Sequence, residues 1–131
     1  MKKSPFVVMG ILVVLVVVLA GCANAVLFSG TSVNRMSVSK ATSWTTTASY
    51  VDGNESRTVN MSADDLAALN VTSTNSSGTL SFTITQGDAK RTVDISGQFS
   101  GSIDTSGFTA GKVSMRLDYT SAKDTNISIT W

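Results

Sequence analysis

The chain has 131 residues, no histidine, a single cysteine and a formal net charge of +1. These counts exclude an internal disulfide and remove the commonest zinc ligand and the commonest general base, so we expect no cofactor, no metal and no enzymatic activity. Two of the ten basic residues lie within the first three positions, and the remainder is slightly acidic, which argues against nucleic acid as a partner.

The N-terminus has the organisation of a signal peptide. Lys2 and Lys3 precede an apolar run from Phe6 to Leu19. This run is shorter than the roughly 20 residues that a transmembrane helix needs, but it is typical of the apolar region of an export signal. The sequence therefore predicts an exported precursor.

The apolar run ends in Leu19-Ala20-Gly21-Cys22, which resembles the lipobox of bacterial lipoproteins. The resemblance implies that signal peptidase recognises Leu19, Ala20 and Gly21, and that Cys22 is lipidated and becomes the mature N-terminus. Two or three acyl chains on one cysteine anchor a protein stably, whereas one chain holds only reversibly. The resemblance covers the first 22 residues and says nothing about the rest of the chain.

These features predict three regions: a signal peptide at 1–21, a lipidated cysteine with its tether at 22–34, and a β-sandwich domain at 35–131. In the alternative, the leader stays uncleaved as an anchor helix that extends through Phe28. In lipoproteins of cells with two membranes, Asp after the lipidated cysteine commonly retains the protein at the inner membrane. Ala23 therefore favours the outer membrane in such a cell, and the outer face of the cytoplasmic membrane otherwise.

Serine and threonine make up 36 of the 110 residues from Cys22 onward, which is typical of solvated strands and turns. The first predicted hairpin runs from Ser43 to Val51, turns at Asp52-Gly53-Asn54, and returns from Arg57 to Met61. A further strand is predicted near Met36 to Ser39.

A short connecting helix is predicted over Ser62 to Asn70. Ser62 can cap its first amides, and Asp64 and Asp65 favour the positive end of the helix dipole. Two leucines of this segment, Leu66 and Leu69, are expected to face the sheet.

The second predicted hairpin joins the alternating strand Thr79 to Thr85, through a turn at Gln86 to Ala89, to a strand in which three apolar residues share a face. These residues are Val93, Ile95 and Phe99. Gly97 predicts a bulge or bend within that strand.

The third predicted hairpin joins Lys112 to Tyr119 with Ile127 to Trp131 through a polar turn. The turn at Asp104 to Phe108 before Gly111 resembles the last hairpin of bacterial immunoglobulin-like surface modules. The predicted fold is an all-β, small antiparallel sandwich of six to seven strands with one short helix, and the resemblance implies an immunoglobulin-like arrangement.

Three sets of residues are candidates for function. Trp44 and Tyr50 form either an aromatic platform for a ligand or part of the core. The adjacent Asp64 and Asp65 are paired carboxylates in one interpretation and helix-capping residues in the other, which we expect. Asp52 to Ser56 is similar to the opening of a calcium loop, but Arg57 stands where such a loop needs glycine, so we expect a turn.

We expect the mature chain to be a non-catalytic structural or interaction module of the cell envelope. The alternative is a surface module that binds a ligand, most plausibly a glycan, and a more remote one is an enzyme that depends on carboxylates. The expected partners are membrane lipid through Cys22, and an envelope protein or a glycan.

Overall fold

The computed structural model describes residues 26–131, and 73% of these residues lie in strands. The predicted class, an all-β antiparallel sandwich with one short connecting helix, is confirmed. Eight strands are present where six or seven were predicted. The elements are β1 Leu27–Val33, β2 Met36–Lys40, β3 Ser43–Met61, α1 Ala63–Ala68, β4 Asn70–Thr74, β5 Ser77–Gln86, β6 Ala89–Asp94, β7 Gln98–Ser102 and β8 Gly111–Thr130.

Two long strands, β3 and β8, organise the sheet. They are antiparallel and pair from Ser43 opposite Thr130 to Met61 opposite Gly111. The other edge of β3 carries β2 and then β1, and the other edge of β8 carries β4 and β5. Outermost, β7 pairs with β4, and β6 pairs with β5.

Strand β3 turns back on itself part-way along its length. The hydroxyl of Thr46 donates to Glu55 Oε1 over 3.3 Å, although the two residues are nine positions apart. In a straight strand they would be about 30 Å apart, at roughly 3.3 Å per residue. The guanidinium of Arg57 likewise reaches the carbonyl of Ser43, 14 positions away, at 2.9 Å. The two parts of β3 therefore face each other across the core.

This bend divides the sheet into two layers. One layer, the β7 half, contains β2, the start of β3, the end of β8, β4 and β7. The other layer, the β6 half, contains β1, the end of β3, the start of β8, β5 and β6. Side chains from both halves form a single buried cluster between them. The largest fully buried apolar side chains are Trp44, Phe82, Leu69, Leu80, Ile84, Ile95, Met115, Leu117, Ile127 and Ile129.

The helix forms where it was predicted and for the predicted reason. The Ser62 hydroxyl accepts from the amide of Asp65, and the Asp65 carboxylate accepts from the amide of Ser62, which is a capping box. Leu66 and Leu69 are buried in the core. Trp131, which the sequence places at the end of a strand, is also buried.

The first and third predicted hairpins are wrong. Asp52-Gly53-Asn54 lies within β3, and the polar segment before Ile127 lies within β8, so each predicted pair of strands is one bent strand. The last hairpin of the immunoglobulin-like resemblance is therefore not formed. Turn residues between two alternating segments are common to hairpins and to sharp bends, because both reverse the chain. The difference lies in which strands the two segments pair with, and that depends on distant residues.

Close backbone contact at the bend explains the glycine in β3. Gly53 pairs with Gly30 of β1, and their φ angles, +133° for Gly53 and +138° for Gly30, are ones that residues with a side chain rarely adopt. A Cβ on Gly53 would lie 2.1 Å from the carbonyl oxygen of Ser29. Glycine is required here because the two backbones approach too closely for a side chain.

The second predicted hairpin is confirmed in its first half. Strands β5 and β6 pair with Gln86 opposite Ala89, as predicted. Ile95 and Ser96 still form hydrogen bonds with Leu80 of β5, after which the chain bends at Gly97, with φ +76°, and enters β7 in the other half. Phe99 therefore does not continue the strand of Val93, and Gly97 marks a change of layer rather than a bulge.

The N-terminal boundary of the domain also differs from the prediction. Residues 27–33, assigned to a tether, form strand β1 and pair with β3 from Leu27 opposite Ser56 to Val33 opposite Tyr50. This pairing is incompatible with an anchor helix that extends through Phe28. The strand near Met36 is confirmed as β2. Strand β4 was not predicted, because its inward positions are Val71 and the polar Ser73, which leaves almost no apolar alternation.

We expect Phe82→Ala to lower the free energy of unfolding by about 3–5 kcal/mol, because Phe82 is completely buried and its loss leaves a cavity. Thr83→Ala is the matched control on the outward side of the same strand, where only a hydroxyl contact with Thr92 is lost. Urea denaturation of both variants measures the difference. Similar midpoints would show that the two faces of β5 are assigned wrongly.

Candidate functional site

The lipobox residues Leu19, Ala20, Gly21 and Cys22 lie outside the described residues. The described chain begins at Val26, and β1 begins one residue later. In this part of the chain, no helix has the length and hydropathy to cross a membrane.

Trp44 and Tyr50 do not form an aromatic platform. Trp44 is completely buried, and its indole nitrogen donates to the hydroxyl of Ser37 at 3.0 Å, so it belongs to the core. Tyr50 is half-buried and pairs with Val33 and Lys123, both of which are exposed. The bend between Ala48 and Val51 shifts the inward and outward alternation of β3 by one residue. Trp44 and Tyr50 therefore do not share a side of the strand, although their spacing in the sequence is even.

The other two candidate sets also have structural roles. Asp65 completes the capping box, and its neighbour Asp64 is exposed in the first turn of α1. Asp52 accepts a hydrogen bond from the amide of Ser121 at 3.2 Å, which joins the bends of β3 and β8. The described residues contain no group of three or more Asp, Glu, His or Cys side chains placed to bind a metal ion.

A buried carboxylate that the sequence analysis missed connects three parts of the fold. Glu55 is completely buried, forms an ion pair with Arg35 from the β1–β2 connection, and accepts a hydrogen bond from the hydroxyl of Tyr119 in β8. Thr46 adds a third contact from the opposite part of β3. Arg35 in turn stacks 4.2 Å from the ring centre of Phe28. The phase of β3 could have revealed Glu55, because it shares the inward positions with Val59 and Met61.

The Tyr119 side chain is held as a proton donor. Burial, and then the negative charge of Glu55, raise the pKa of Tyr119 far above its usual value. The hydroxyl therefore stays protonated and can donate to the carboxylate at all ordinary pH values. Glu55 is enclosed by its partners, so this network stabilises the bend and does not offer a carboxylate to a ligand.

A buried cation, Arg57, connects the second part of β3 to the β2–β3 turn. Arg57 is 6% exposed, and its terminal nitrogens donate to the carbonyls of Lys40 and Ser43 at 2.7 and 2.9 Å. Its guanidinium lies 5.0 Å from the ring centre of Trp131. Burial lowers the pKa of Arg57 from its usual value. Arg57 therefore satisfies the carbonyls around the β2–β3 turn.

The outward side of the β7 half carries no charged residue across four adjacent strands. Backbone register places its side chains in three rows, for example Thr45, Ser128, Thr72 and Ser100 from β3, β8, β4 and β7. We call this surface the uncharged face. It consists of Ser43, Thr45, Thr47, Asn70, Thr72, Thr74, Gln98, Ser100, Ser102, Asn126, Ser128 and Thr130.

A shallow depression of about 310 Å³ lies on the uncharged face. Hydroxyl and amide groups surround it, whereas Phe99 lies opposite the buried Ser73 and its ring packs against the core. Hydroxyls and amides both donate and accept hydrogen bonds, so the depression suits a neutral ligand that does the same. Its lining is Thr72, Ser73, Thr74, Gln98, Phe99, Ser100 and Asn126.

The outward side of the β6 half is different in character. The row that contains Arg116 and the row that contains Asp118 lie next to each other, and the two side chains form an exposed ion pair at 3.0 Å. Lys90 and Asp94 of β6 add further charge. The outer side of the β6 half is therefore chemically distinct from the uncharged face.

A scan against protein-family models and a search of curated proteins found no match to this chain.

We expect Glu55→Gln to lower the free energy of unfolding by about 3 kcal/mol, because it removes the buried charge that pairs with the half-buried Arg35. Asp118→Asn makes the same chemical change at an exposed ion pair and should cost less than about 1 kcal/mol. Urea denaturation compares the two variants. Equal losses would contradict the role of Glu55 in holding the bend.

Proposed function

We propose that this chain is a lipid-anchored protein of the cell envelope whose sandwich serves as a non-catalytic interaction module. The observation that carries the proposal is the position of β1 relative to Cys22. Four residues, Ala23 to Val26, separate the lipobox cysteine from the first residue of the sheet. The leader and lipobox direct the chain to the membrane, and the short connection keeps the domain at the membrane surface.

The short connection limits how far the sandwich can move from its anchor. At roughly 3.6 Å per residue for a fully extended chain, Leu27 stays within about 18 Å of Cys22. A lipidated Cys22 would therefore place the sandwich against the membrane, on the outer membrane where the cell has one or on the outer face of the cytoplasmic membrane otherwise.

The ionisable side chains support an interaction module more than a catalyst. Glu55 is enclosed in the bend, Asp65 caps α1, and Arg57 binds backbone carbonyls. Asp104 accepts from the amide of Ser106, and this hydrogen bond lowers the pKa of Asp104. A general acid needs a raised carboxyl pKa, which is the opposite direction.

A second candidate function, binding of a neutral glycan, is favoured by the depression on the uncharged face. Sugar hydroxyls donate and accept hydrogen bonds, as do the Asn, Gln, Ser and Thr groups that surround it. The candidate glycan site is therefore the depression on the uncharged face, and it does not include Trp44 and Tyr50, the aromatic pair that the sequence suggested.

We expect Cys22→Ser to abolish incorporation of a palmitate analogue in cells and to leave the longer precursor, because only the thiol can accept the lipid. Ala23→Ser is the matched control, since it changes the next residue and keeps the thiol. Gel mobility and label intensity are the measurements. Equal labelling of the Cys22 variant and the control would refute the anchor.

We expect Asn126→Ala to weaken retention on envelope polysaccharide at least several-fold if the uncharged face binds glycan. Asn60→Ala is the matched control, because Asn60 is also an exposed strand asparagine but lies on the β6 half, opposite Lys112. Affinity electrophoresis of both variants in polysaccharide gels measures the effect. Unchanged mobility of the Asn126 variant in gels that retard the unmodified chain would exclude this face as the glycan site.

A further inference from the structure

The exposed apolar side chains of the domain are concentrated on two strands. Among residues 26–131, the large hydrophobic residues with high exposure are Leu27 at 62%, Val33 at 53%, Met36 at 66% and Val38 at 42%. All four belong to β1 and β2, and the outward positions elsewhere are dominated by hydroxyl, amide and charged groups. We call these four side chains the apolar edge.

Both strands occupy the same outer edge of the sheet, where Leu27 and Val33 lie on the outer side of the β6 half, and Met36 and Val38 lie on the outer side of the β7 half. β1 and β2 pair with β3, one after the other, and no described strand pairs with their other side. The opposite edge is built differently, because β6 carries the charged residues Lys90, Arg91 and Asp94, which protect an edge from unwanted contacts, and the exposed side chains of β7 are polar. β1 has neither a charge nor a proline. Its surface is therefore suited to contact with something that accepts apolar side chains.

The apolar edge is also the part of the sandwich nearest to the anchor in sequence. Leu27 follows the lipobox cysteine by five positions, so the start of β1 cannot move far from the lipid. Neither strand contains an acidic residue, and β2 ends at the exposed Lys40. These two strands therefore carry no negative charge that would repel an anionic headgroup layer.

We propose that the apolar edge lies in the headgroup layer of the membrane that holds Cys22, with Leu27, Val33, Met36 and Val38 in contact with the acyl boundary. This proposal rests on the lipid anchor proposed above. Shallow burial of a few apolar side chains next to a basic residue is the way in which peripheral segments bind at an interface. The unpaired amides and carbonyls of the edge remain in the hydrated layer, where water and phosphate oxygens satisfy them.

This placement sets the orientation of the domain. With β1 and β2 at the membrane, the opposite edge formed by β6 and β7 points away from it, because the strand order runs from one edge to the other through β3 and β8. The uncharged face and the outward side of the β6 half then both stand beside the membrane and remain accessible. A second copy paired along β1 is the competing occupant, and the experiment separates the two.

The test uses the full-length lipidated chain in vesicles of phosphatidylethanolamine and phosphatidylglycerol. Met36→Cys and, as control, Thr92→Cys on exposed β6 each supply one free thiol for a fluorophore, because the Cys22 thiol is blocked by lipid. Lipids that carry a nitroxide near the headgroup should quench the label at position 36 several-fold more than the label at position 92. Equal quenching would overturn the proposal.

Two further measurements make failure interpretable. The mass of the Cys22 peptide reports lipidation, so a missing lipid would overturn both the anchor and the membrane contact, whereas weak quenching on a lipidated chain overturns only the contact. Cross-linking between labels at position 36, with no quenching by lipid, would assign the apolar edge to a second copy. Far-ultraviolet circular dichroism should be unchanged by either substitution, because both positions are exposed.

Discussion

The fold depends on one constraint, which is that β3 and β8 remain paired while both reverse direction. Because they are neighbours over their full length, their bends must coincide. β8 accommodates this with one extra residue, because its three steps from Ala122 to Tyr119 lie opposite the two steps from Val51 to Gly53. The pairing register between β8 and β5 shifts at the same place. Ser121 has a φ of +45° there, and the carboxylate of Asp52 accepts from its amide. A bulge of this kind is how a strand passes from one layer of a sandwich to the other.

The buried Glu55 network acts on the same constraint from the inside. A carboxylate without partners would be very costly in this position, so the chain must bring Arg35, Tyr119 and Thr46 to it. These three residues come from the β1–β2 connection, from β8 and from the opposite part of β3. The requirement is met only when β3 has folded back and β1 has paired beside it. A buried polar group of this kind selects one arrangement among several that bury the same apolar area.

The sequence predicted those features that depend on neighbouring residues. The β5–β6 hairpin follows from Leu80, Phe82 and Ile84 in alternation, and α1 follows from the capping box at Ser62. The bends in β3 and β8 could not be told from hairpins, because pairing partners lie more than 50 positions away. β4 was hidden because Ser73 fills a buried position, where its hydroxyl donates to the carbonyl of Ile95. The uncharged face could not be predicted either, because it exists only when four strands from distant parts of the sequence lie side by side.

The surface shows how one composition can produce three chemically different regions. Packing in the core determines the residue types at inward positions, so the residues that can vary with what the domain contacts are those on the outward sides and at the edges. Serine and threonine are abundant on both faces, yet the uncharged face has no ionisable side chain, and the large apolar residues of high exposure in the described chain lie on β1 and β2. A soluble domain has no need for an unprotected apolar edge, and β6 shows that this chain can protect one. The asymmetry between the two edges is what the proposed membrane contact requires, with a lipid surface at the edge nearest to Cys22 and water at the other.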